Sequence, residues 1–173
     1  MRVVFLDIDG VLQPHNSFER FKYMNNDTIS YLSNKYNCDY FKYDSYDVCS
    51  VYVDWSNDAV ERLKYILDCT GSKIIVSSNW RDSKNIYKMR DLFKIKGLDK
   101  YWKDDNPYII NENSCYRQRA SEINFSLNKY NIDNFVILDD MVELIRYFPH
   151  NLVCTRGILQ DEDVDRSIKI LKK

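Results

Sequence analysis

Three short apolar runs constrain this chain more than anything else in it. They are Val3-Val4-Phe5-Leu6, Lys73-Ile74-Ile75-Val76 and Phe135-Val136-Ile137-Leu138. Each has the length of a strand, and none shows the apolar–polar alternation of a strand wetted on one face. Strands of this kind are buried on both sides, which requires helices above and below the sheet. The stretches between them supply helices. One from about Asp58 to Cys69 puts Ala59, Leu63, Ile66 and Leu67 on a single face. Asp58 and Glu61 read as its N-terminal capping pair, and Gly71 closes its end. Further helices are expected from about Ser83 to Lys96, ending at Gly97, and over 119–130, with Ile123, Leu127 and Tyr130 inward. A short helix at 140–147 stops before Pro149, and a last one from Asp161 carries Val164, Ile168 and Leu171 on one face. Extended pieces are expected at Tyr108-Ile109-Ile110 and at 151–154. The expected fold is a single α/β domain over residues 1–173, a Rossmann-like three-layer sandwich with a mainly parallel sheet.

All three runs end in polar groups. The first delivers Asp7, Asp9 and Gly10, the second Ser77, Ser78, Asn79 and Arg81, the third Asp139 and Asp140. Ligands of open parallel sheets bind at this carboxyl edge. Strand side chains alternate, so Asp7 and Asp9 would point the same way if the strand continued through them. Two acids held together repel unless a cation or a shared proton offsets their charge. Oxygen ligands of this kind suit Mg²⁺. Gly10 permits a sharp turn or a close approach to a ligand. The competing reading is a set of solvated acidic turns and helix caps. Asp139 and Asp140 cannot both point into one strand face, so their roles must differ.

In this order and spacing the motifs resemble the haloacid dehalogenase (HAD) superfamily of phosphohydrolases. Leu6-Asp7-Ile8-Asp9-Gly10-Val11-Leu12 is similar to its first motif, Ser77 to its second, and Asp139-Asp140 to its fourth. Asp-Gly-Val-Leu, Ser-Ser-Asn-Trp-Arg and Ile-Leu-Asp-Asp together most resemble the phosphatase domain of the "Swiss Army knife" RNA-repair proteins. That likeness covers residues 1–13 and about 56–160. It implies a Mg²⁺-dependent phosphomonoester hydrolase working through an aspartyl-phosphate. Asp7 would be the nucleophile and Asp9 the acid and base, its backbone carbonyl also on the metal. Asp7, Asp9, Asp139 and Asp140 would form the metal set. Ser77 would donate to the phosphate, with Ser78 the competing choice if the register slips by one. Gly10, Asn79 and Arg81 would help bind substrate, Arg81 by a bidentate grip. Trp80 reads as packing. Arg119-Ala120-Ser121-Glu122-Ile123 looks like the repair family's Arg-Gly-x-Glu-Ile, which makes Arg119 the basic third motif and leaves Arg117 in reserve. The expected substrates are phosphorylated RNA or DNA ends. The alternatives are a nucleotide or sugar phosphate, or phosphate binding without catalysis.

Residues 15–54 match nothing in that pattern. They hold seven of the 14 tyrosines and are expected to form a small cap or flap after the first strand. Their aromatics could stack on a base, although tyrosines usually pack with wet hydroxyls. Five cysteines without Cys-x-x-Cys spacing read as reduced thiols. Two distant histidines argue against a zinc site or a Ser-His-Asp triad. A net charge of −1, from 25 basic and 26 acidic residues, shows no basic footprint for long nucleic acids. Met1 runs directly into the first strand, and no apolar run reaches membrane-spanning length. An intracellular, cytoplasmic protein is expected.

Overall fold

The computed structural model describes residues 1–81, 86–103 and 116–173, without the side chains of Ile86, Tyr116 and Arg117. Cys115 and the expected pieces at Tyr108-Ile109-Ile110 and Ser83 lie outside the described residues, as does the Arg117 side chain. Four strands form one all-parallel sheet: β1 (Arg2–Leu6), β2 (Lys73–Val76), β3 (Asn134–Asp139) and β4 (Leu152–Cys154). Their order is β2-β1-β3-β4. The chain therefore winds outward from β1 to β2, then returns to the other side of β1. The winding reverses between β1 and β3, and the crevice at such a switch point is where ligands sit.

Alternate side chains of the buried strands enter opposite layers, as strand geometry dictates. Val4, Leu6, Ile74, Val76, Val136 and Leu138 join the larger core. Val3, Phe5, Ile75 and Ile137 join the smaller one on the other face. The larger core takes the apolar faces of α3 (Asn57–Thr70), α4 (Ile86–Lys94) and α6 (Asp161–Leu171). The smaller is covered by α5 (Tyr116–Lys129), through Ala120 and Ile123. These are the three expected layers.

Local chemistry sets the boundaries. Ser56, not the Asp58–Glu61 pair, caps α3: its Oγ accepts from Ala59 N at 3.3 Å. A serine just before the first turn satisfies an orphan N–H better than an acid already inside it. Gly71 ends α3 in the left-handed region, its N–H donating to Leu67 O. The segment expected as a helix at 140–147 is a 3₁₀ helix over Val142–Arg146. No helix among the described residues is long and apolar enough to cross a membrane.

The 15–54 insertion is helical, with α1 (Asn26–Tyr36) and α2 (Ser45–Cys49) followed by a π-helical turn, Ser50–Asp54. Its Ile29, Leu32, Tyr40, Val48, Cys49 and Val51 are buried in the same core as Leu6 and Val11. Inside it, Arg20 and Asp54 form a buried ion pair that also takes the Ser17 hydroxyl, 2.9 Å from Asp54 Oδ1. The Arg20 guanidinium lies over the Tyr46 ring at 4.4 Å. Several ties fasten the insertion to the helical layer. Tyr43 donates to Asp91 of α4 at 2.6 Å, and Lys96 donates to the carbonyls of Tyr52 and Trp55, each at 3.1 Å. Of the seven tyrosines, Tyr23, Tyr31 and Tyr46 are exposed; the other four are buried or half-buried.

Candidate active site

Leu6 is in register with Val76 on one side and Leu138 on the other. The next residue of each strand therefore lies at one edge. Asp7 N donates to Leu138 O and Ser77 N donates to Leu6 O, both at 2.9 Å. The sheet thus delivers Ser77, Asp7 and Asp139 side by side, at the switch point.

The strand does not continue through Asp9. Gly10 takes φ +73° and the chain closes a tight loop, with Gln13 N on Ile8 O at 3.0 Å and Gly10 N on Gln13 O at 2.8 Å. Asp9 is thereby turned away from the Asp7 row and set beside Gln13. Its two oxygens accept from Trp80 Nε1 at 2.9 Å and from Gln13 Nε2 at 3.1 Å. Burial raises the Asp9 pKa despite the Trp80 bond, and the Asp7 charge raises it further. A carboxyl so biased holds a proton more readily than an ordinary aspartate, as a general acid needs.

One oxygen from each of Asp7, Asp139 and Asp140 lies within 4.8 Å of the others. The Asp9 carboxylate is not in this group. Gly10 makes the group possible: a Cβ there would sit 2.8 Å from Asp140 Cβ, so any side chain would collide with that carboxylate's own stem. Asp139 is fully buried, with Oδ1 accepting from Met141 N at 2.9 Å. Burial raises its pKa, and the Asp7 charge adds to that, while Arg119 pulls the other way. Asp140 accepts from His15 Nε2 at 2.7 Å. The three groups that converge here offer carboxylate oxygens, and hard cations such as Mg²⁺ prefer oxygen ligands. Three carboxylates against one buried guanidinium also leave negative charge in excess. The residues fit a divalent cation.

Arg119 supplies that guanidinium. From the first turns of α5 its Nη1 reaches Asp7 at 2.9 Å and Asp139 at 2.7 Å, and its Nη2 reaches Asn79 Oδ1 at 2.8 Å. Burial works against its charge, but Asp7 and Asp139 outweigh burial and hold it above the usual arginine value. Asn79 therefore orients Arg119.

The two serines separate cleanly. Ser78 Oγ accepts from Trp80 N at 3.3 Å and caps the 3₁₀ turn Asn79–Arg81. Ser77 Oγ is buried and has no hydrogen-bond partner among the described residues. A buried hydroxyl left open is costly unless a ligand completes it.

Arg81 does not stand ready for a bidentate grip. It is buried, paired with Glu122 of α5, and bonded through Nε and Nη2 to the carbonyls of Ser78 and Ser77 at 2.9 and 3.2 Å. It is a strut between the end of β2 and α5. A sequence cannot distinguish an arginine free to grip a phosphate from one that faces a buried glutamate 41 residues later. Nothing in the sequence marks His15 or Gln13 as belonging to the site, and Trp80 both packs edge-to-face on Trp55 at 5.7 Å and holds Asp9. Glu143 is exposed.

A family model, the HAD domain in Swiss Army Knife RNA repair proteins, matches residues 3–164. The chain belongs to this family. The matched span of this HAD domain includes the insertion, which the motifs alone left out. Membership in the HAD family points to a phosphatase-type hydrolase. Neither a curated protein nor a solved structure matches the chain.

Proposed function

We propose that the protein is a Mg²⁺-dependent phosphomonoester hydrolase that works through an aspartyl-phosphate, with phosphorylated nucleic-acid ends as its substrates. The observation that carries this reading is the convergence of Asp7, Asp139 and Asp140 with Arg119 at the sheet's switch point. The nucleic-acid part rests on the family's description alone.

Asp7 is the nucleophile, positioned by its own backbone N–H on β3 and by Arg119. Arg119 holds Asp7 in place through Nη1 and can turn part of its guanidinium to the incoming phosphoryl oxygens. Ser77 Oγ donates to one of those oxygens, which completes its missing hydrogen bond. Asp9 protonates the departing oxygen and then takes the proton of the water that attacks the phosphorylated Asp7. Asp7, Asp139 and Asp140, with the Asp9 backbone carbonyl, would hold Mg²⁺, which when bound offsets the repulsion between an anionic nucleophile and an anionic phosphate.

The test is phosphate release with Mg²⁺ and with EDTA. The panel is an aryl phosphate, 3′- and 5′-phosphorylated RNA and DNA oligonucleotides, mononucleotides and sugar phosphates. Release that needs Mg²⁺ and favours oligonucleotide ends is expected. Preference for the small phosphates would overturn the nucleic-acid part, and no release from a folded protein would overturn the enzymatic reading.

A further inference from the structure

Asp9 is held by a chain of hydrogen bonds that begins in the insertion. Ser50, the first residue of the π-helical turn, is fully buried and its Oγ bonds Gln13 Oε1 at 2.5 Å. With its carbonyl taken, the Gln13 amide presents Nε2 to Asp9 Oδ1 at 3.1 Å. The second oxygen of Asp9 accepts from the Trp80 indole, whose ring packs against Trp55 at the insertion's end. Trp55 is itself wedged edge-to-face against Phe93, and its carbonyl accepts from Lys96. Both donors that fix Asp9 are thus backed by residues of one short stretch, Ser50–Trp55. π-Helical turns are rare and concentrate at functional sites.

We propose that Gln13 and Trp80 are positioning residues for the general acid Asp9, and that the Ser50–Trp55 stretch of the insertion is the brace behind them. This rests on the hydrolase reading above. It gives the insertion a role in the chemistry: it sets the direction in which Asp9 presents its proton. Two neutral donors on two different oxygens leave the carboxyl one orientation relative to Asp7. Losing either donor frees the carboxyl to rotate without removing it. The penalty then falls on substrates whose leaving oxygen needs a proton, because a nitrophenolate departs without one and an alkoxide does not.

The experiment measures kcat/KM, which reports steps through departure of the leaving group, for p-nitrophenyl, phenyl and n-propyl phosphate. The proteins are wild type, Trp80→Phe, Gln13→Met, Asp9→Asn and the doubles with Asp9→Asn. Trp80→Phe keeps a ring against Trp55, and pairing Gln13→Met with Ser50→Ala avoids a stranded hydroxyl. Each is expected to lose roughly tenfold or more on the alkyl ester and little on the nitrophenyl ester, and to add nothing once Asp9 is gone. The Trp80 indole N–H resonance, assigned by its loss in Trp80→Phe, is expected to shift in Asp9→Asn without substrate present. Equal losses on all three esters, or an unmoved indole resonance, would overturn the brace while leaving the hydrolase reading intact. A folded wild-type protein that releases phosphate from none of the three, nor from phosphorylated oligonucleotides, would overturn both.

Discussion

Arg119 Nη1 and Asp139 Oδ2 meet at 2.7 Å, both side chains buried, beneath the point where β1 and β3 deliver their acids. The same nitrogen holds Asp7 at 2.9 Å. Removing the arginine would leave two buried carboxylates facing each other. Arg119→Ala is expected to lower stability by about 3–5 kcal/mol, as breaking buried pairs does. Added Mg²⁺ should restore part of this, since a cation replaces the lost charge. Denaturant unfolding with Mg²⁺ and with EDTA checks both parts; a variant as stable as wild type in EDTA would contradict the pairing.

Ser77 should show opposite signs for stability and activity. Its hydroxyl is buried without a partner, so Ser77→Ala removes an unsatisfied group. Stability is expected to stay level or rise by about 1 kcal/mol. Turnover is expected to fall roughly 10²-fold, as the loss of one oxyanion donor does. Thermal melts and phosphate release on the same sample separate the two. Ser78→Ala should instead cost stability, because it uncaps the Asn79–Arg81 turn.

Gly10→Ala tests the space given to Asp140. A Cβ would collide with that side chain at a residue already in the left-handed region. The expected outcome is a loss of about 1–3 kcal/mol in unfolding free energy together with weaker Mg²⁺ binding. Calorimetric titration of Mg²⁺ into the folded variant reads the second effect; unchanged affinity would place Asp140 outside the metal set.

Asp91 makes stability pH-dependent. Burial would raise its pKa, but bonds from Tyr43, Lys94, Cys38 and Lys42 outweigh burial and hold it at about 2. An unfolded aspartate titrates near about 3.9. Above that value both states are ionised and the full stabilisation is present. As pH falls toward 2 the unfolded chain takes up a proton first, so the stabilisation shrinks and is gone below the folded value. The stability gap between wild type and Asp91→Asn should be constant near neutrality and close between about pH 4 and pH 2. Urea unfolding across that range checks it.

The layers were legible because the strands are buried on both faces and end in chemistry: Leu6, Val76 and Leu138 align in register, so their polar successors converge. Arg119 was legible through its local motif. The insertion was not, because its helices are short or π- and 3₁₀-type and carry tyrosine and asparagine where a regular apolar stripe would stand. The packing of Trp80 was read, but its bond to Asp9, the strut made by Arg81 and the places of Gln13 and His15 were not, for one reason. Their partners are Asp9, Glu122, Ser50 and Asp140, and all four pairs are made by the folded chain across 37 residues or more. Only the tight loop at Gly10 could have hinted that Gln13 returns to Asp9.

The central claim is that Asp7 carries the phosphoryl group. Borohydride reduces an aspartyl-phosphate to homoserine, which peptide mass spectrometry locates. Quenching turnover of an aryl phosphate into borohydride should convert Asp7 to homoserine, only with substrate and Mg²⁺ present. The Asp7→Asn protein should fold, release no phosphate and show no conversion. Conversion at another residue, or phosphate release by Asp7→Asn, would contradict the account.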